Sequence, residues 1–594
     1  MRKILLLSCL CLSMTWSHVM AQERTVTGKV TSQEDGTALP GVNVVLKGST
    51  VGTVTDVDGN FRLSTPQAGG VLVFSFIGLK SQELDIAGRS TVDVQMGLDI
   101  QQLGEVVVTA AGIEREKKSL GYRLENVSGT KLQQISETDP LRGLQGKVAG
   151  VNIIGSSGVP GSSTRITMRG NRSLLGNNQP LIVVDGIPFD NTQTNTSNQL
   201  VGGGAYGSGL AAIDPNNIES MNILPPGGAG AALYGVRAAN GVIVITTKTG
   251  SSRASRKGLE IAVNSSYSME EISGLPDYQN TYGTGTGFVY GQVNGSWGAP
   301  FNGAVPYPTI TEIPDWTDIH NAFPDRPATV PYRAYPNNVK DFFNRGSMWD
   351  NSITLSGGNE KANFTTTISN TDQTGIVPES GFRRTTISVG ANTVLANKVT
   401  VGGTMSYSDR RQQGPPGGAS NAIGNGSAFA RTMYLGRNWD LQGQPYENPL
   451  TKESIFFVAK ATSTNPYWSA RYDGFETDET RIVGNLNFAY DFTDWLNVSY
   501  RIGLTHFDQK NQEWFRPGGR AAGGVGQILD DYVTNTEVES FLMLNFNKKL
   551  TDDITLKAFV AHNINQRTRN QQAYSGTGLV DFNIIDIDNT TSVV

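Results

Sequence analysis

The sequence predicts a mainly β protein of three parts: an N-terminal Ig-like β-sandwich, a mixed α+β segment, and the first part of a large antiparallel transmembrane β-barrel. Short alternating runs separated by turn signals occupy residues 24–97. Helix and strand signals are mixed over residues 113–250. From Leu259 onward, longer alternating runs are joined by connections that are long and short in turn, which is typical of outer-membrane barrels.

The N-terminus has the features of a secretory signal. A basic start is followed by the apolar residues 4–12 and then by small and polar residues up to Ala21, which predicts cleavage after Ala21. Both cysteines, Cys9 and Cys11, lie in this segment, so the mature chain has no disulfide and no thiolate ligand. Loss of Arg2 and Lys3 changes the formal net charge from −5 to −7, which argues against nucleic acid as a partner.

Residues 22–99 are predicted to form the β-sandwich. Its seven strands are expected at 26–31, 42–47, 52–56, 60–64, 71–76, 83–86 and 91–95. Asp56–Asn60 begins like a calcium loop, but it lacks the remaining ligands and is predicted to be a hairpin turn. The segments Gly28–Val30, Leu39–Val44 and Gly59–Phe61 resemble the carboxypeptidase-regulatory-like domain, which carries no peptidase chemistry.

A short apolar run lies in the junction that follows, at residues 103–112. It consists of Glu105, Val106, Val107, Val108, Thr109 and Ala110, and a charged, helix-prone segment follows at Glu114–Lys118. Val and Thr favour a strand, yet no partner strand is obvious in the sequence, and an unpaired strand offers its backbone groups to another chain. The alternative is that the run is the last strand of the preceding domain.

Residues 113–250 combine a helix predicted from Asp139-Pro140 to about Val148 with four strands. The strands are expected at 165–169, 181–185, 218–224 and 241–248. Three motifs resemble the plug domain of SusC/RagA-type TonB-linked outer-membrane transporters: Arg169–Leu174, Gly176–Pro188 and Leu233–Lys248. Pro225–Gly228 departs from the Lys-Gly-Ala-type turn that the family would have there.

Residues 258–594 are predicted to form part of the barrel. Nine alternating runs are present, with one apolar face for lipid and one polar face for the lumen, at 259–269, 351–357, 362–371, 382–393, 398–408, 481–491, 495–506, 537–547 and 553–563. The polar faces include Arg481 and Arg501. A barrel that holds a plug needs about 22 strands, so the chain is expected to be C-terminally truncated. The alternative is a miscounted small barrel, whose lumen could not hold residues 113–250.

Catalytic motifs are absent from the sequence, and no metal or cofactor is predicted. No His-Glu-x-x-His pair and no Gly-x-Ser-x-Gly elbow occurs. Tryptophans in the long connections are candidates for stacking on a sugar or peptide ligand, namely Trp297, Trp316, Trp439 and Trp468. The favoured alternative is that they pack the loops onto one another.

The resemblance implies import across an outer membrane, energised by TonB and its inner-membrane complex. It implies that residues 105–110 are the TonB box, and that Arg169, Arg237 and Asp185 help to seat the plug in the lumen, the two arginines by contacts with lumen carboxylates. For each arginine alone, an ordinary surface charge is an equally good interpretation. The expected partners are TonB, a SusD-like surface lipoprotein, an extracellular glycan or peptide ligand, and outer-membrane lipid. A passive porin, a signalling receptor without transport and a soluble adhesin remain the competing hypotheses.

Overall fold

The computed structural model of the chain covers most of the residues after the predicted signal. It describes residues 23–33, 36–49, 51–66, 70–76, 79–86, 88–97, 106–108, 114–116, 124–133, 137–155, 157–174, 176–191, 206–227, 230, 234–249, 258–303, 306–307, 309–359, 361–395, 398–416, 428–458, 463–551 and 554–594. The predicted signal peptide, Glu105, Thr109 and Ala110 lie outside these ranges. The chain divides into two compact units, Met1–Val107 with Glu114–Gly121, and Val108–Ile113 with Tyr122–Val594.

The first unit contains a two-sheet β-sandwich, and all seven predicted strands are confirmed. They are β1 (Glu23–Ser32), β2 (Asn43–Leu46), β3 (Gly52–Val54), β4 (Asn60–Pro66), β5 (Val71–Ser75), β6 (Gln82–Asp85) and β7 (Val94–Met96). The sheets have the orders β4-β1-β7 and β3-β2-β5-β6. Alternate residues such as Val44 and Phe74 enter a shared core. The Asp56 carboxylate accepts hydrogen bonds from the backbone N–H groups of Asp58 and Asn60, so a turn forms here as predicted. It is not a hairpin turn, because β3 and β4 lie in different sheets.

The junction contains a strand, β8 (Val106–Val108), as the β-branched residues predict. The structure pairs β8 with β9 (Glu114–Glu116) in a two-stranded sheet. The interpretation that this strand has no partner in its own chain was therefore wrong. Its partner lies in the charged segment after the junction, which forms a strand at residues 114–116 instead of the expected helix.

After β9, the described part of the plug segment contains seven strands, five of which form one sheet. Its strands are β10 (Glu125–Ser128), β11 (Val151–Gly155), β12 (Thr164–Met168), β13 (Leu181–Val184), β14 (Ile187–Phe189), β15 (Ile218–Leu224) and β16 (Val242–Thr247). The sheet has the order β10-β15-β16-β13-β14, and β11 and β12 pair separately. The four predicted strands are confirmed, and β10, β11 and β14 were missed. The core includes Ile182, Met221 and Ile243, all at most 2% exposed.

The helix predicted from Asp139 is wrong. The Asp139 carboxylate does accept a hydrogen bond from the backbone N–H of Leu141, as an N-cap would, but the chain forms only a 3₁₀ turn at Arg142–Leu144. A short regular helix of this segment is α1 (Gly129–Leu132). Further 3₁₀ turns are at Gly209–Ala212, Pro215–Asn217 and Gly235–Ala238.

Ten strands in the rest of the chain form one antiparallel sheet. They are β17 (Gly258–Glu270), β22 (Gly346–Gly358), β23 (Ala362–Thr374), β24 (Gly381–Leu395), β25 (Val399–Gly414), β26 (Gly474–Thr493), β27 (Leu496–Phe515), β28 (Gln527–Lys549), β29 (Thr555–Leu579) and β30 (Thr590–Val593). Each strand pairs with the next one in this order, so that β17 lies at one edge and β30 at the other. All nine predicted strands are confirmed, and β30 was missed.

Alternation along these strands separates two faces, as predicted. On β23 and β24, Phe364 and Ile387 are more than 40% exposed, whereas Thr367 and Thr386 are 1% exposed. The strands extend beyond the alternating runs that predicted them. The interval 507–536, expected to be a long connection between two runs, is therefore mostly strand, and the loop spans only 516–526. The apolar face is suited to lipid, and the polar face lies against the plug.

The two long connections, 271–345 and 415–473, pack together at one end of the sheet. They contain β18 (Gly285–Thr286), β19 (Val289–Tyr290), β20 (Glu312–Pro314), α2 (Thr317–Ala322), β21 (Thr329–Pro331), α3 (Asn338–Asp341), α4 (Ala428–Met433) and α5 (Pro466–Tyr472). Later 3₁₀ turns are at Ala521–Gly524 and Ile587–Asn589. Among the described residues, none of these helices is both long and apolar enough to cross a membrane.

Candidate functional site

The plug touches the barrel wall at the tip of the β13–β14 hairpin. Val184 pairs with Ile187, so the turn consists of Asp185 and Gly186, whose φ angles of +49° and +85° fit a type I′ turn. The Asp185 carboxylate accepts hydrogen bonds from the backbone N–H and Oγ1 of Thr247 on β16, at 2.8 and 2.6 Å. It also accepts one from Thr404 Oγ1 on β25, at 2.8 Å. The predicted residue Asp185 therefore joins two plug strands to the wall.

Opposing effects act on the Asp185 carboxyl. Burial raises the pKa of this carboxyl above its ordinary value, although the hydrogen bonds from Thr247 and Thr404 act in the opposite direction. The neighbouring Gly186 carbonyl accepts a hydrogen bond from Arg501 Nη2 on β27, at 3.0 Å. A Cβ on Gly186 would lie 2.1 Å from Arg501 Nη1, so the turn needs glycine both for its φ and for this close approach.

A buried arginine of the wall binds the plug backbone. Arg384 on β24 is 1% exposed, and its Nη1 donates to the carbonyl oxygens of Thr138, Ala211 and Ile213, each at 3.0 Å. Its Nη2 donates to Thr371 Oγ1 at 3.1 Å and lies 3.9 Å from Asp214 Oδ1. Because charged donors make the stronger hydrogen bonds, this guanidinium is a principal attachment between plug and wall.

Other wall arginines surround Asp190, the residue after β14. Arg567 Nη2 forms an ion pair with the Asp190 carboxylate, and Arg569 Nη1 lies 4.0 Å from it. Arg481 Nη1 donates to the Asp190 carbonyl at 3.2 Å. The Arg481 guanidinium also lies 4.7 Å from the ring centre of Phe189.

Amide side chains complete the attachment on the side of β22 and β25. Asn216 Nδ2 donates to Asp350 Oδ2 at 2.9 Å. Gln412 accepts from the backbone N–H of Gly207 at 2.7 Å and donates to the carbonyl of Pro160 at 2.9 Å. These buried contacts are polar, and an apolar cluster packs beside them, formed by Val159 and Tyr206 of the plug with Val377 and Phe475 of the wall sheet and its connections.

A cavity of about 30 Å³ lies between plug and wall, with room for about one water molecule. Its lining includes Asp214, Asn217 and Ser408, each with a buried oxygen that has no protein hydrogen-bond partner among the described residues. Polar atoms in such a cavity are suited to hydration.

Of the two arginines predicted to seat the plug, only one lies close to a carboxylate of the wall residues that the structure describes. Arg237 Nη1 lies 3.5 Å from Glu537 Oε1 on β28, which fits the predicted contact with a lumen carboxylate. Arg169 is exposed, has a φ of +56°, and uses its backbone N–H to bond the Gly150 carbonyl. Within the described ranges, the Arg169 side chain forms no ion pair with the wall, so its predicted role has no geometric support.

The wall arginines at the interface were missed as plug contacts. Arg481 and Arg501 lie on the predicted polar face, but nothing in their own strands indicated the plug as their partner, and Arg384 was not distinguished from its neighbours. The sequence feature that could have indicated these plug contacts is a long basic side chain at an inward-facing position of a strand whose other inward residues are Thr, Ser and Asn.

Three of the four candidate tryptophans are buried, which corrects the prediction that they contact ligand. Trp316, Trp439 and Trp468 are at most 1% exposed. Trp316 and Trp439 pack edge to face at 5.2 Å inside the aromatic core of the two long loops. The alternative, in which the loops fold onto one another, is the one that the geometry favours. Trp297 differs, because it is 59% exposed.

Comparisons with known proteins agree with this geometry. Residues 26–108 match the family described as CarboxypepD_reg-like domain, and residues 116–242 match the TonB-dependent Receptor Plug Domain. A plug domain beside a sheet of long amphipathic strands is the arrangement to which these two family matches correspond.

The chain is also similar to receptors of the SusC type, as the motifs indicated. It is 33% identical to TonB-dependent receptor SusC of Bacteroides thetaiotaomicron, over 62% of this chain and 32% of SusC. It is 27% identical to TonB-dependent receptor P3 of Formosa agariphila, over 94% of this chain and 50% of that protein. The chain thus spans about half the length of the P3 receptor.

Solved structures show the same fold. The RagAB peptide importer in its open-open state matches with a TM-score of 0.64 and 20% identity, over 82% of this chain and 52% of that chain. Its closed-closed state matches with a TM-score of 0.60 and 19% identity, over 80% and 51%. The predicted fold class, a sandwich, a plug and part of a barrel, is confirmed.

Proposed function

We propose that this chain belongs to an outer-membrane importer, in which TonB gates the plug by pairing with residues 105–110. The cargo is a large nutrient of the glycan or peptide type, and a SusD-like lipoprotein assists its capture at the surface. Support comes from the relatives SusC and P3, both of which are TonB-dependent receptors. One structural neighbour, RagAB, is a peptide importer.

The observation that carries this proposal is the polar attachment of the plug to the wall. Arg384, Asp185 and Asp190 hold the plug through hydrogen bonds and ion pairs at defined points. Such contacts can be exchanged for contacts with water when the plug is pulled, because the net free energy of each is small. A passive porin would have no use for a plug fixed in this way.

The position of β8 supports the coupling role. This three-residue strand precedes the plug domain and shares its sheet only with β9. A short pairing is readily replaced, and the second edge of β8 has no strand partner among the described residues. TonB would add its own strand by backbone hydrogen bonds, which explains why the run needs β-branched residues rather than particular side chains.

Two substitutions of the same residue test the coupling. Val107→Pro removes a backbone N–H and disfavours strand pairing. Val107→Thr keeps the N–H and introduces another β-branched residue that favours a strand. We expect the purified periplasmic domain of TonB to bind the threonine variant like the wild type and to bind the proline variant at least about tenfold more weakly. Cellular uptake should follow the same order while surface binding of the cargo is unchanged. Equal binding of TonB to both variants would reject the proposal.

Uptake measured in the same cells also separates the competing functions. If surface binding occurs but uptake is absent even for the wild type, the chain serves a signalling receptor or is a non-functional fragment of a transporter. In either case TonB binding to β8 can still be measured, so that the coupling segment is tested independently of transport.

A further inference from the structure

An exposed aromatic cluster lies on the surface of the first long loop. It consists of Tyr282, Phe288, Trp297 and Tyr307, which are linked by pairwise ring contacts. The ring centres of Tyr282 and Trp297 are 5.2 Å apart, those of Tyr282 and Phe288 5.5 Å, and those of Phe288 and Tyr307 4.7 Å. Trp297 is 59% exposed, and the other three are half-buried. The buried tryptophans of the loops form the core below, so this cluster is a separate surface feature.

The cluster is rigidly supported. Phe288 and Trp297 are joined by a backbone hydrogen bond of 2.9 Å from the Phe288 N–H to the Trp297 carbonyl, and the Trp297 N–H donates to the Gly285 carbonyl. The hairpin residue Tyr290 packs against Trp316 and Tyr332 of the loop core at 6.2 and 5.7 Å. The rings are therefore preorganised, which lowers the entropy cost of binding a ligand on them.

The backbone at the cluster is strained. Gly285 pairs with Tyr290 and Thr286 with Val289, so the β18–β19 turn consists of Gly287 and Phe288. Their φ angles are +59° and +65°, which a type I′ turn requires but which a phenylalanine rarely adopts. Strain of this kind is retained mostly at functional positions, and here it holds the Phe288 ring against Trp297 and Tyr307.

The segment that carries the rings contains no charged side chain. No Asp, Glu, Lys, Arg or His occurs from Tyr278 to Thr311, whereas Asn, Gln, Ser, Thr and Gly are frequent. Aromatic faces bind the apolar faces of sugar rings, and amides and hydroxyls bind sugar hydroxyls. A peptide, by contrast, brings charged termini and side chains, for which this segment offers no ion pair.

We propose that the Tyr282–Phe288–Trp297–Tyr307 cluster is a stacking surface for an uncharged oligosaccharide. The proposal rests on the proposed import function and narrows its cargo from glycan or peptide to neutral glycan. The surface captures the sugar outside the membrane, before any step that requires TonB.

Binding to the purified protein in detergent tests the assignment. The probes are neutral oligosaccharides built from glucose, mannose, xylose and galactose, with uncharged and charged peptides of similar length for comparison. We expect at least one oligosaccharide to bind and no peptide to compete with it. Trp297→Ala should weaken this binding by at least about tenfold, and Trp297→Phe should restore most of it.

Tyr434→Ala is the matched control, because Tyr434 is 61% exposed on the same pair of loops but outside the cluster. Its affinity for the sugar should equal that of the wild type. The proposal is overturned if no oligosaccharide binds, if a peptide competes for the cluster, or if Trp297→Ala binds as tightly as Tyr434→Ala. Because no TonB is present, these outcomes are independent of the TonB-binding experiment, and either proposal can fail alone.

Discussion

Arg384 shows most clearly how single side chains hold the plug. It is a buried donor to three plug carbonyls, and removal of the guanidinium would leave those oxygens without this partner. Each unsatisfied buried carbonyl costs about 1–3 kcal/mol. We expect Arg384→Met to speed hydrogen exchange of the plug segment 206–217 and to lower the thermal midpoint of the protein.

The preceding residue on the same strand provides the control. Arg383 faces outward, is 76% exposed at its side chain, and pairs with Asp372 at 2.9 Å. Arg383→Met removes the same charge without touching the plug, and an exposed ion pair is worth little. Equal exchange rates in the two variants would show that Arg384 does not seat the plug.

Asp473 makes the outer loops sensitive to pH. Burial raises the pKa of this carboxyl to about 8, although it accepts hydrogen bonds from the Arg516 backbone N–H and from Ser469 Oγ. In the unfolded loop the carboxyl loses its proton near its ordinary pKa of 3.8. Stability is therefore greatest below that value and falls as the pH rises towards 8, by at most about 1.4 kcal/mol per pH unit.

Asp473→Asn should remove this dependence, because the amide resembles the protonated acid. The measurement is hydrogen exchange of α5, corrected for intrinsic rates, from mildly acidic to mildly alkaline pH. The exposed Asp325 serves as control, and Asp325→Asn should behave like the wild type. A wild-type α5 whose protection is constant over this range would contradict the assignment.

At the scale of elements, the β13–β14 hairpin depends on its turn. Gly186 combines a φ of +85° with a Cβ position that is occupied by the Arg501 guanidinium. Gly186→Ala should therefore destabilise the protein by about 1–2 kcal/mol or more, since both the turn and its contact with β27 are disturbed. Chemical unfolding measures this, with Gly235→Ala as control, because Gly235 has a similar φ of +61° but open space around its Cβ. Equal losses in both variants would show that the contact with Arg501 contributes nothing.

Local patterns predicted the elements where one face of a strand is polar and the other apolar. Thr367 beside Ile368, and Arg501 beside Ile502, carry this pattern in adjacent residues, so nine barrel strands were found from the sequence. The Asp139-Pro140 motif led to the wrong prediction of a helix, because an N-cap signal determines only the first turn. The chain continues from there as a 3₁₀ turn towards β11.

Contacts between distant segments have no such local pattern. Arg384 and Ala211 are separated by 173 residues, and nothing near either one in the sequence indicates the other. Asp185 was found only because it lies in a family motif. The burial of Trp316 and Trp439 depends on two loops meeting, whereas the exposure of Trp297 depends on one hairpin, so the three could not be distinguished from the sequence.

At the scale of the whole molecule, the proposed import requires the plug to move relative to the wall. Ile187 follows the hairpin turn and touches β27, where an ideal Cβ on Gly503 would lie 3.6 Å from the Ile187 Cβ. This separation suits a disulfide. The chain has no cysteine after Cys11, so Ile187→Cys combined with Gly503→Cys introduces one defined pair.

The measurement is uptake of labelled cargo by cells that carry this double variant, under oxidising conditions and after reduction. We predict that the disulfide stops uptake while surface binding and TonB binding continue, and that reduction restores uptake. Each single-cysteine variant should transport under both conditions. Undiminished uptake with the disulfide fully formed would contradict the claim that the plug leaves the wall when TonB pulls on residues 105–110.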